Sequence, residues 1–189
     1  MSGSNSRMAN DHITLEHCLR EHTREEELDE SNAWYCSRCK THQRAKKIVK
    51  FWAPSLPEVL ILVLKRFEFR DVSALLGQTS GGYLHREKIS AKVDFPISGL
   101  DLTAYCAGLP SKAGSTVTAN DRMYDLFAVC NHFGRLGSGH YTAMARDWRG
   151  SSLADAWFSF DDDDVQAIMD DSRVITDAAY ILFYRRRPL

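Results

Sequence analysis

The stretch EVLILVLKRFEF, residues 58–69, sets the tightest limit on how this chain folds. Its apolar centre, VLILVL at 59–64, is far shorter than the ~20 residues that cross a bilayer. β-Branched and aromatic side chains dominate it, and APSLP at 53–57 bounds it upstream with two prolines, so it reads as a strand. A strand with no apolar–polar alternation predicts burial on both faces, which places 58–69 at the centre of a sheet.

Five further segments have strand character: KISAKVDFP (88–96), YDLFAVCNHF (124–133), HYTAMARDW (140–148), AWFSFDD (156–162) and AAYILFYRRR (178–187). Short breaks separate the last four, as an antiparallel sheet requires. Leu15, Cys18, Leu19 and His22 recur at helical spacing, with Thr14 as the N-cap. The predicted class is therefore α+β, a mainly antiparallel sheet with a few helices. Residues 1–12 are small and polar and read as a linker or tag-like tail. Residues 13–50 form a charged segment, acidic at 24–30 and basic at 38–47, both expected to be solvated surface. Residues 51–189 hold the sheet, with loops expected at 71–87 and 108–121.

The chain has 189 residues, 44% of them hydrophobic, which supports one domain with its own core. A formal net charge of -1 gives no reason to expect nucleic-acid binding. No run suits a membrane span. Five cysteines in an otherwise ordinary composition point away from a secreted disulfide framework and toward a reduced compartment, cytosolic or nuclear.

Chemistry concentrates in GSGHYTAMARD (137–147) and WFSFDDDD (157–164). A hairpin turning at Gly150–Ser151 puts His140 opposite Asp161, within reach of an imidazole–carboxylate hydrogen bond. Shifted by a bulge, the partner becomes Asp162. Alternation puts His140, Thr142 and Met144 on one face with Trp157, Ser159 and Asp161. A carboxylate that fixes an imidazole tautomer leaves the other nitrogen free to activate a nucleophile. A purely structural contact, an acidic turn or a weak cation site are the plainer readings of the same residues. The glycines of GRLGSG (134–139) allow close backbone approach by a ligand, or a gating loop.

The nucleophile itself is missing. Cys36 and Cys39, in WYCSRCK, have the spacing of half a tetrahedral zinc site, and no second CxxC completes it. Cys18, Cys106 and Cys130 read as small buried hydrophobes with no cation or helix N-terminus beside them.

In order, these segments resemble the C-terminal half of a ubiquitin-specific protease catalytic domain. NAWYCSRCK resembles the second zinc-binding CxxC of the family's fingers. LPEVLILVLKRFEF is similar to its palm strand, and KVDFP to the strand that follows. YDLFAVCNHFGRLGSGHYTAMARD resembles its histidine box, WFSFDDDDV its aspartate element and AAYILFYRRR its closing strand. The spacing is closest to members whose catalytic domain is split by an insert. The resemblance implies a papain-like cysteine protease palm plus part of the zinc-ribbon fingers, with the thumb absent. It implies that His140 is the base, that Asp161 orients it, and that Asp162 assists or substitutes. It implies that Gly137 and Gly139 belong to a blocking loop over the substrate's diglycine tail, that 70–87 covers the opposite side, and that His132 and Tyr141 line the tail groove; a structural hydrogen bond is the plainer role for His132. Zinc would be held by Cys36 and Cys39 with two ligands from the N-terminal half of the domain. The implied partners are ubiquitin, ubiquitinated proteins and that N-terminal half, with neither nucleic acid nor membrane. The family's cysteine box has no counterpart here, so the chain alone is expected to be inactive, its full domain cleaving the isopeptide bond after ubiquitin's last glycine. A non-catalytic ubiquitin-binding scaffold and a zinc-ribbon interaction module are the competing expectations.

Overall fold

A computed structural model describes residues 12–71, 84–108, 120–135, 137–146 and 156–188. Its centre is an antiparallel sheet built from β1 (Val59–Val63), β2 (Met123–Arg135), β3 (Ser138–Arg146), β4 (Trp157–Asp161), β5 (Asp164–Ile168) and β6 (Ala179–Arg186). The strand order is β5-β4-β3-β2-β6-β1, and Leu100–Asp101 adds a short seventh strand on β2. The expected strands at 124–133, 140–148, 156–162 and 178–187 are all present. β5 lies outside the expected strands, because its first residue belongs to the aspartate run and Ile168 is its one buried residue.

One face of the sheet carries the core. Leu60, Leu126, Val129, Trp157, Ile168, Leu182 and Tyr184 are buried there, with Leu56, Phe95, Leu100 and Leu102 in the same cluster. Each such aliphatic side chain contributes roughly 1.5–3 kcal/mol on burial. The two large phenols have their polar ends satisfied: Tyr124 donates to the Pro57 carbonyl at 2.6 Å and Tyr184 to the Pro96 carbonyl at 2.8 Å. Burial pushes both phenols up, Tyr124 to about 12.

The helix appears as α1 (Leu15–His22), capped by Thr14, whose Oγ1 accepts from the His17 N–H at 3.1 Å. Leu15 and Leu19 are buried and His22 is exposed, so the stripe holds for two of its turns. Among the described residues α1 is the one α-helix, where a few were expected; the remaining helical segments are single 3-10 turns. The acidic and basic stretches meet rather than standing apart: Glu26 pairs with Lys47 and Glu27 with Lys46 in a two-residue ladder.

The segment 58–69 departs most from expectation. It is not one central strand. β1 ends at Val63, sits at the edge of the sheet, and shows Val59, Ile61 and Val63 at 43%, 55% and 53% exposure. Phe67–Asp71 then forms a separate hairpin with Leu84–Lys88, and of the second expected strand only Val93–Asp94 is extended, parallel to Ile13–Thr14. An apolar run reports that both faces need apolar surroundings; it does not say that this chain supplies them. The break is held by Arg66, 3% exposed, whose guanidinium donates to the carbonyls of Ala179 at 2.5 Å, Ile89 at 3.0 Å and Ala91 at 2.8 Å. Removing a fork that satisfies three carbonyls leaves buried acceptors unpaired. Arg66→Met is expected to cost about 2–3 kcal/mol, read as a drop in thermal midpoint of roughly 4–12 °C; Arg66→Lys recovers part of it, since an ammonium cannot span all three acceptors.

Candidate active site

β2 and β3 form a hairpin in which Phe133 pairs with His140, Gly134 with Gly139 and Arg135 with Ser138. Gly134 and Gly137 have φ of 96° and 90°, the left-handed region that glycine reaches without a Cβ clash. The segment expected to be a loop, 134–139, is thus the tip of this hairpin. A Cβ on Gly139 would sit 2.3 Å from His132 Nε2 and 2.4 Å from the Phe133 carbonyl oxygen, so internal packing requires that glycine.

β3 pairs with β4 through Ala143 with Phe160, Met144 with Ser159 and Arg146 with Trp157. The expected register is off by two residues: continued outward, it sets Asp161 against Thr142, with His140 diagonal to it. A slip of two preserves the face, because side chains alternate with period two. The diagonal distance remains within reach of long side chains, and the His140 Nε2–H donates to Asp161 Oδ1 at 2.5 Å. A carboxylate only accepts, which places the proton on Nε2 and leaves Nδ1 bare.

The aspartate run explains itself locally. Asp161 ends β4 and pairs with Asp164, so Asp162 and Asp163 are a two-residue hairpin turn. Asp162 has φ of 50°, which aspartate tolerates better than most residues. The acidic-turn reading therefore holds for Asp162–Asp163, while Asp161 takes the imidazole. Ligand atoms of His140, Asp161 and Asp162 lie within 4.8 Å of one another, all exposed. Since Asp161 already occupies Nε2, this is a hydrogen-bonded pair with an added charge. Phe133, Thr142, Ser159, Phe160 and Gln166 join the pair around an open concavity of about 430 Å³.

The hydrogen bond and charge of Asp161, with a smaller contribution from Asp162, hold the His140 imidazole above its ordinary value. A folded value raised above the unfolded one means that the contact stabilises the chain fully below the ordinary imidazole range. That stabilisation fades as pH rises through the raised folded value. An NMR titration is expected to show His140 deprotonating above the ordinary range and Asp161→Asn returning it there.

Cys36 ends the strand Trp34–Cys36, which pairs with Thr41–Gln43 across a tight turn. The Cys39 N–H donates to Cys36 Sγ at 3.4 Å, the Lys40 N–H to the Cys36 carbonyl at 2.8 Å, and Lys40 has φ of 59°. Backbone donors from Cys39 and Arg38, with the Cys39 thiol, pull the Cys36 thiol down, favouring the thiolate that binds metal. Two adjacent thiols fit half of a tetrahedral zinc shell, and no third ligand joins them among the described residues. Burial pushes Cys18, Cys106 and Cys130 up, the wrong direction for a nucleophile.

The two residues expected along a tail groove share one sheet face, as cross-strand partners. Tyr141 is exposed, but His132 lies buried beneath it, on the sheet face opposite His140. Burial, and then the Lys88 charge, lower the His132 imidazole. The companion segment, 70–87, falls mostly outside the described residues.

A family model described as ubiquitin carboxyl-terminal hydrolase matches residues 10–184. The chain belongs to the ubiquitin carboxyl-terminal hydrolase family. Human ubiquitin carboxyl-terminal hydrolase 19 is 43% identical over 184 residues, covering 93% of this chain and 12% of that protein. Ubiquitin carboxyl-terminal hydrolase 4 of Pongo abelii is 37% identical over 175 residues, again 93% of this chain and 15% of the relative. Among solved structures, the SAGA Ubp8/Sgf11/Sus1/Sgf73 DUB module bound to ubiquitin aldehyde superposes with a TM-score of 0.67 at 27% identity, covering 96% of this chain and 35% of that one. The antiparallel architecture is thus that of the hydrolase family's catalytic domains, and the chain spans a small part of the relatives' length.

Proposed function

We propose that this segment supplies the base and the orienting acid of a thiol-dependent deubiquitinase whose nucleophilic cysteine is carried by another segment. The hydrogen bond from His140 Nε2 to Asp161 carries the reading, because it fixes the tautomer a proton shuttle needs. In this mechanism Nδ1 of His140 takes the proton of the incoming thiol. The thiolate sulfur bonds to the carbonyl carbon after ubiquitin's C-terminal glycine. As the C–N bond of the isopeptide breaks, the imidazolium gives its proton to the departing lysine amine. A water, deprotonated by His140, then displaces the sulfur and frees the ubiquitin carboxylate. Ubiquitin, ubiquitinated proteins and the segment bearing the cysteine are the partners. Zinc held by Cys36 and Cys39 with two donors from elsewhere would cross-link the hairpin structurally. Five free thiols in this chain suit the cytosol or nucleus.

Labelling with ubiquitin bearing a C-terminal electrophile tests the proposal. The 189-residue chain is expected to remain unlabelled. The longer protein that carries it should be labelled, and its His140→Ala form should not. Ubiquitin binding without labelling in every case would instead support a scaffold.

A further inference from the structure

We infer that His132 is a positioning residue, its buried ring packing against the residues on both sides of His140 and so setting that imidazole against Asp161. The inference rests on reading His140 and Asp161 as the catalytic pair. The His140 side chain is half exposed and hydrogen-bonded to Asp161. The main chain sets where that ring leaves the strand, and so whether it meets the Asp161 carboxylate. Strand alternation sends His140 to one face and its two neighbours, Gly139 and Tyr141, to the other. Both meet the same imidazole there. The absence of a Cβ on Gly139 admits His132 Nε2, and the Tyr141 ring lies 4.8 Å from the His132 ring, centroid to centroid.

His132 is itself held on several sides. Phe67 meets it edge-on at 5.3 Å and Tyr180 lies at 6.2 Å. Its N–H donates to the Ala178 carbonyl at 2.9 Å, and Lys88 Nζ donates to its carbonyl at 2.5 Å. Its Nδ1 is buried without a hydrogen-bond partner, so the ring contributes contact surface rather than a polar link. A proton relay through His132 would demand the opposite, a satisfied nitrogen facing the pair. What the ring does is fix the hairpin tip from below, leaving His140 one orientation toward the carboxylate.

The test is an NMR titration of His140 in the 189-residue chain. His132→Ala is expected to lower the His140 midpoint to where Asp161→Asn places it, while the amide spectrum of the sheet persists. Should the alanine form not fold, His132→Leu keeps the buried volume and decides the matter by the same shift. A His140 midpoint unchanged in whichever folded variant is measured would overturn the role of His132. A wild-type midpoint already equal to that of Asp161→Asn would instead overturn the catalytic pair.

Discussion

Under the proposed mechanism, His140→Ala in a protein that also carries the nucleophile is expected to lower turnover of ubiquitin conjugates by about 10⁴-fold to 10⁶-fold, because nucleophile and base would act as a unit. The loss should appear in kcat with little change in KM, because the proposed role of the imidazole is to move protons and not to grip the ubiquitin body. Asp161→Asn is expected to lose on the order of 10⁴-fold, since an amide can hold the wrong tautomer. Asp162→Asn should cost far less. Asp162 sits in the turn and adds charge at a distance, while the 2.5 Å contact belongs to Asp161. Steady-state kinetics on a ubiquitin–fluorophore amide would measure all three, and equal losses for Asp161 and Asp162 would contradict the observed register.

Trp157→Ala is the substitution expected to unfold the chain most. Trp157 is the largest of the fully buried side chains, and Arg146 lies over its ring at 5.7 Å. Truncating a buried aromatic of this size costs about 3–5 kcal/mol, a fall in thermal midpoint of roughly 6–20 °C for a chain of this length. Because Trp157 opens the strand that ends at Asp161, the same change should loosen the His140 contact at temperatures where the sheet survives. Circular dichroism melting and the His140 titration, run on one sample, would separate the two effects.

Local signals carried much of the architecture into view before any coordinates. Thr14 as a cap, the stripe of Leu15 and Leu19, and the alternation through 124–133 and 140–148 all depend on near neighbours, and all appear. The pairing of His140 with Asp161 was readable because a strand has only two faces, so a register error of two residues left it intact. The amount of that error was hidden in the connection between β3 and β4, which carries no periodicity. The break after Val63 was invisible for a different reason. Arg66 in LKRF looks like a surface charge, and only the carbonyls of Ala179, Ile89 and Ala91, 23 to 113 positions away, draw it inside. The burial of His132 is hidden for the same reason: it depends on Phe67 and Tyr180 arriving from other strands.

The apolar outer strand β1 has a consequence of its own. VLILV hydrogen-bonds to β6 on one side, and among the described residues no strand pairs with its other side. Short, uncharged, β-branched edges of this kind recruit copies of themselves into fibrils.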